Sequence, residues 1–176
     1  FHNIRLIMGR QAIGKVEKTR IAVVGCGSIG ANLTFALAGN GFKDLTLIDG
    51  DTVGRRNIPL SVPFTRRDVG RTKVKVVRDL LKRKYGNRLN LRCHARYTHE
   101  VPLKALTDPD ILVLGVDDRW TRIAVTSIRV QAGKPYLNLG FLGWEASCML
   151  VIPHRTACYA CLFRPNDREK VQRLKR

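Results

Sequence analysis

Three stretches of this sequence predict an α/β fold of the Rossmann type: a mostly parallel sheet with helices on both faces and an antiparallel C-terminal extension. The first is "IAVVGCGSIG" at 21–30, a hydrophobic strand running into a glycine-rich turn and a helix. The second is "LTLIDGD" at 45–51, a strand ending in acid about 20 residues later, the spacing at which such folds hold a ribose. The third is "DILVLGV" at 110–116, a buried strand that leads into Asp117 and Asp118.

Ile4, Ile7, Met8, Ala12, Ile13 and Val16 are spaced for a short amphipathic helix over 4–18, interrupted by glycines. A strand at 21–25, a helix over 28–40 ending in "GNG" and a strand at 45–49 make one βαβ unit. Residues 51–70 are rich in turn formers and hold no period, which predicts a long loop of the kind that usually carries function. Val74, Val76, Val77, Leu80 and Leu81 recur at helical spacing, so 70–84 is a packed helix with a basic outer face. A strand at 89–96, the strand at 110–116 and a helix over 119–132 follow. After "GKP" the pattern changes: "YLNLGF" and "EASCMLVI" are strands with a short turn between them, which supplies the antiparallel element.

A chain of 176 residues fits a single domain, 1–176, with a sizeable core. No apolar run approaches the roughly 18 residues of a membrane span, and no signal-peptide pattern opens the chain, so a soluble, cytoplasmic protein without membrane contact is expected. The five cysteines are too few and too unevenly placed for a secreted disulfide framework. The start at "FHNIR" suggests a trimmed chain. A net charge of +18 raises nucleic acid or an acidic protein as partner, with solvated basic helix faces as the alternative. The basic stretches hold too few aromatic residues for a single-strand stacking platform.

Gly25, Gly27 and Gly30, with Ser28 among them, form G-x-G-x-x-G between strand and helix, where backbone and helix N-terminus can receive phosphate. The same glycines can serve only close helix–strand packing. Asp49 is placed to accept ribose hydroxyls of NAD or ATP alike. Three features favour ATP: Asp51 and Asn57 add polar contacts beyond the single carboxylate a ribose needs, Lys73 can neutralise a phosphate, and Asp117 ends the next parallel strand. Asp118 is alternatively a helix N-cap, and Lys73 alternatively a surface charge.

Taken together, these motifs resemble the ThiF/HesA/MoeB family of ubiquitin-activating-enzyme-like adenylating enzymes over about residues 4–165. The glycine loop through "LTLIDGDTV", then "RRNIP", "DVGRTKVKV", "GVDDRWTR", "GKPYLNLGFLGWEASCMLVIP" and "CYACLF" stand in the family's order and spacing. The resemblance implies that magnesium-ATP activates a substrate carboxylate, giving an acyl-adenylate and pyrophosphate, within a homodimer. Gly25, Gly27, Ser28 and Gly30 would line the ATP site, Asp49 would hold the ribose, Asp51 would add a further polar or metal contact to the bound nucleotide, and Asn57 and Lys73 would contact phosphates. Asp117 would organise magnesium and the attacking carboxylate, and Arg5, with Arg10 behind it, would be the N-terminal arginine. The implied substrate is the C-terminus of a ubiquitin-like protein or peptide. A tRNA-modifying relative and a non-catalytic ATP-binding scaffold are the alternatives, with an NAD-dependent oxidoreductase as a more distant one.

The sequence departs from the family pattern at Leu60 and Ser61, where an Arg-Gln pair is usual. Arg55, Arg56 or Arg66 is then left to reach the phosphates. Cys158 and Cys161 are half of a tetrahedral zinc site. The resemblance puts the other half downstream, and the sequence ends at Arg176 without it, so either a C-terminal portion is lost or the thiols carry no metal. Cys26, Cys93 and Cys148 are expected in the core, Trp120 and Trp144 against the sheet, and His94, His99 and His154 in structural roles.

Overall fold

The computed structural model describes residues 2–142 and 144–162, with backbone alone for residues 2–6, 8 and 142. Among the described residues one six-stranded sheet carries the fold. Its strands are β1 (Arg20–Val24), β2 (Asp44–Ile48), β3 (Asn90–His94), β4 (Ile111–Leu114), β5 (Tyr136–Leu142) and β6 (Glu145–Val151), in the spatial order β3-β2-β1-β4-β5-β6. All neighbours are parallel except β5 and β6. The order reverses between β1 and β4, which opens a crevice at their carboxyl ends.

Alternation along the strands sends side chains to two cores. Ile21, Val23, Leu45, Leu47 and Val113 meet α2 (Ser28–Gly39) and α3 (Lys73–Tyr85), including Val74, Val76, Val77 and Leu81. Ala22, Val24, Ile48, Leu112 and Leu114 face the other way, onto Leu106 of α4 (Leu103–Thr107) and Val125 of α5 (Arg119–Gln131). The sheet is therefore wound on both faces. α4 was absent from the sequence expectation, because five residues are too few to show a period. The N-terminal helix α1 (His2–Lys18) is interrupted at Gly9, whose φ of 76° is not helical. Among the described residues no helix is long and apolar enough to cross a membrane.

Three packing expectations fail. Trp144 is fully exposed in the β5–β6 turn, and Trp120, in the first turn of α5, is 36% exposed. Cys148 is exposed because it lies on β6, the edge strand, while Cys26 is completely buried and Cys93 partly so. Periodicity marks a residue as a strand member; it does not show whether anything covers that face.

Arg129, at the C-terminal end of α5, has no solvent exposure. It donates to the carbonyls of Leu106 and Pro109, each at 3.0 Å, Asp110 at 3.3 Å and Pro135 at 2.6 Å, joining α4, β4 and the start of β5. Burial pulls its guanidinium down to about 10. Arg129→Met leaves those carbonyls without a donor and is expected to lower unfolding free energy by about 3 kcal/mol or more, read by urea titration.

Candidate functional site

The crevice predicted by the strand order is a cleft of about 640 Å³. It is lined by the glycine turn after β1, the acids after β2, part of the loop before α3, residues 96–98 after β3, and Gly115 to Asp118 after β4. Of the residues singled out from sequence, Gly25, Gly27, Ser28, Asp49, Asp51, Asn57, Lys73 and Asp117 all border it.

The three glycines do different work. Gly25 has a φ of 89°, and a Cβ there would stand 2.7 Å from the carbonyl oxygen of Gly115. It permits β1 and β4 to approach at the crevice. A Cβ on Gly30 would lie 1.8 Å from the carbonyl oxygen of Gly25, so Gly30 lets α2 close against the turn and sits beneath the cleft lining. Gly27 borders the cleft at the N-terminus of α2 with nothing within 4 Å of a built Cβ. Packing explains Gly25 and Gly30, whereas Gly27 leaves the helix terminus open to the cleft.

Asp49 shapes the turn. Its Oδ2 accepts from the Cys26 amide at 2.6 Å and its Oδ1 from the Asp51 amide at 2.7 Å. Burial raises its carboxyl above the usual range against the opposing pull of Lys73 and those two amides. Lys73, largely buried at the start of α3, places Nζ 2.7 Å from Asp51 Oδ2, and its amide donates to the Asp51 carbonyl at 3.0 Å. This excludes the surface-charge alternative, since the ammonium is held inward beside the cleft.

Asn57 closes a 3-10 turn at Arg55–Asn57, its Oδ1 accepting from the Gly54 amide at 2.8 Å. Of the three arginines considered for the phosphates, Arg56 borders the cleft and Arg55 and Arg66 do not. Leu60 borders it without charge, and Ser61 is turned into the protein, 1% exposed with Oγ unpartnered among the described residues. Arg10 is not among the lining residues, and the Arg5 side chain lies outside the described residues.

Asp117 is exposed at the rim with no hydrogen bond or ion pair among the described residues. Beside it Asp118 is the N-cap of α5, its side chain accepting from the Thr121 amide at 2.6 Å. Arg122, one turn along, donates to Asn138 Oδ1 at 2.6 Å and lies over the Tyr159 ring at 5.8 Å. Tyr97 presses against Gly50, where a Cβ would be 2.8 Å from its ring, and stacks on His99. The sequence reading missed Arg96, Tyr97 and Arg122 as cleft residues, although Arg96 and Tyr97 follow the end of β3 on the same rim.

Asp118 gives a pH-dependent prediction. The Thr121 hydrogen bond holds the Asp118 carboxyl below the usual range against an opposing burial effect. Arg20 does the same for Asp110, bonding it at 2.8 Å. Both contributions are present above the unfolded value near 3.9 and are lost as pH falls through the lower folded values. Asp49, shifted the other way, offsets part of this loss. Thermal melts of wild type should drop below about pH 4, and Asp118→Ala should cost about 1 kcal/mol at pH 7 and less at pH 3.

Cys158 Sγ and Cys161 Sγ are 3.4 Å apart and lie outside the cleft lining. Among the described residues no third His, Cys, Asp or Glu joins them.

Strand order, glycine turn and an acid-and-lysine rim define a doubly wound α/β domain with its cleft at the point where the strand order reverses. Sequence comparison narrows the class: the ThiF family model matches residues 2–176, and the chain belongs to the ThiF family. Over 165 residues it is 30% identical to "Adenylyltransferase and sulfurtransferase MOCS3" of Xenopus laevis, covering 93% of this chain and 37% of that protein. It is 24% identical to SUMO-activating enzyme subunit 2 of Dictyostelium discoideum, covering 92% and 24%. Among solved structures, E. coli MccB with ATP superposes with a TM-score of 0.74 at 26% identity, covering 93% of this chain and 50% of that one. MccB with AMPCPP and MccA gives 0.73 at 28%, covering 93% and 49%. The chain thus spans about half the length of these structures and a quarter to two fifths of these curated relatives.

Proposed function

We propose that the chain is an adenylating domain that binds magnesium-ATP in this cleft and activates the carboxylate of a ubiquitin-like protein or peptide. The observation that carries the reading is the convergence of Asp49, Asp51, Lys73 and Asp117 with the open face of Gly27 on one rim. The relatives named for adenylyl transfer and for SUMO activation support it, as does the MccB structure with ATP.

A carboxylate oxygen attacks the α-phosphorus, the bond from that phosphorus to the bridging oxygen breaks, and pyrophosphate leaves with the electron pair. No proton has to move. The protein's work is positioning and charge neutralisation, which a lysine, carboxylates and backbone amides supply. Asp49 orients the ribose while fixing the glycine turn, α2 and Gly27 receive phosphate, and Lys73 offsets phosphate charge. Asp117, unpaired and carrying the hard oxygen donors that magnesium takes, fits as its ligand, with Asp51 nearby in the same cleft. Magnesium bound there would neutralise charge on the departing pyrophosphate. Cys158 and Cys161 would supply two of the four ligands that a structural zinc site takes, and among the described residues no third ligand joins them.

The test is exchange of labelled pyrophosphate into ATP, driven by a ubiquitin-like protein or peptide with a free C-terminus and blocked when that terminus is amidated. ATP binding without exchange across a broad panel of such carboxylates turns the reading to a non-catalytic scaffold. The basic outer face of α3, with Lys75, Lys82, Arg83 and Lys84 exposed, favours one second reading, a carboxylate on tRNA. Exchange driven by tRNA and lost at high salt would select it.

A further inference from the structure

The cleft holds four basic side chains: Arg56, Lys73, Arg96 and Arg122. They are not equally available to a ligand. Lys73 is already paired with Asp51 at 2.7 Å, and Arg122 is committed to Asn138 and to the Tyr159 ring. Arg56 and Arg96 have no carboxylate partner among the described residues. Arg96 stands beyond β3, next to Tyr97 where that ring covers Gly50, at the flank of the cleft set by the β2 and β3 ends.

Arg56 is placed otherwise. Its turn is pinned from both sides, Asn57 Oδ1 accepting from the Gly54 amide and the Asn57 amide donating to the Gly54 carbonyl at 2.9 Å. The loop is also laced to the start of α3: Val53 donates to the Arg71 carbonyl at 2.8 Å, Gly70 to Val53 at 2.9 Å, and Lys73 to Asp51. The guanidinium is thus presented from a fixed turn tied to the lysine's own helix. Positions 60 and 61 cannot supply that charge, since Leu60 is apolar and Ser61 points inward.

We propose that Arg56 binds the β- and γ-phosphates of ATP, supplying from this loop a positive charge that Leu60 and Ser61 do not. The inference rests on the ATP reading of the cleft and is independent of which carboxylate is activated. A planar guanidinium with two parallel donors suits a polyphosphate, and a bond between two charged groups is among the stronger polar contacts.

The experiment is calorimetric titration of the full chain with magnesium-ATP and, separately, with AMP, which lacks the phosphates Arg56 would hold. Arg56→Ala should weaken ATP binding by about 10- to 100-fold and leave AMP within about twofold. Arg56→Lys should fall between, and Arg55→Ala should bind as wild type. Adding Leu60→Arg to Arg56→Ala should recover most of the loss. Because Arg56 is exposed, its variants should melt as wild type does, which separates binding from folding. Unchanged ATP affinity in Arg56→Ala, or equal losses for ATP and AMP, overturns the assignment. Should wild type bind neither nucleotide, the ATP reading falls with it, whereas tight ATP binding without any exchange removes the adenylation reading alone.

Discussion

Asp117→Ala is expected to lower carboxylate-dependent pyrophosphate exchange by about 100- to 1,000-fold, with the melting temperature close to that of wild type. Two observations separate chemistry from stability here. The carboxylate has no partner among the described residues, so its removal breaks no internal bond. It also borders the cleft, where the proposed reaction would shift charge from the α-phosphorus to the leaving group. Lys73→Ala should reduce exchange to a similar degree for a second reason. It takes away the ammonium and leaves Asp51, 2.7 Å from it in wild type, as an uncompensated negative charge beside an anionic substrate. Lys73 is largely buried, so its variant should also lose some stability; the pair Lys73→Ala and Asp51→Asn/Lys73→Ala, compared by exchange, distinguishes charge from packing. Wild-type exchange in Asp117→Ala would remove this residue from the chemistry.

The second large effect is on folding. Gly30→Ala should leave little folded protein, a loss above about 4 kcal/mol, because its methyl would meet the backbone oxygen of Gly25 at 1.8 Å and neither backbone can move without opening the turn. Gly27→Ala is the contrast. Nothing lies within 4 Å of its added methyl, so the fold should survive, with ATP binding weakened about 10-fold where the methyl occupies phosphate space. Circular dichroism and thermal melts of the two variants, followed by ATP titration of the folded one, give the comparison. Should Gly30→Ala melt like wild type, the close packing assigned to that glycine is wrong.

Much of the fold was legible because its signals are local. Strand-turn-helix spacing at 21–40, the acid-ending second strand and the helical period of α3 each depend on neighbours in sequence, and the expected strands and long helices all appear. The expected antiparallel pair is β5 and β6. Three outcomes needed the third dimension. Cys148 is exposed because β6 is an edge strand, a property of sheet order, and Trp144 because the β5–β6 turn that holds it has nothing packed over it among the described residues. Arg129 is buried because four carbonyls from separate segments meet at its guanidinium. No run of residues around 129 carries either fact.

The site divides along the same line. Residue type and strand-end position marked Asp49, Asp51 and Asp117, since side chains after parallel strands emerge on one rim, and a lysine at a helix start marked Lys73. Folding settles which glycine opens onto the cleft, that Asp118 caps a helix, that Lys73 is turned inward, and that Arg56 rather than Arg55 or Arg66 borders the cleft. The physical reason is distance: a sequence fixes which groups are near each other along the chain, but charge and steric contact act across space, between residues that folding brings together from far apart.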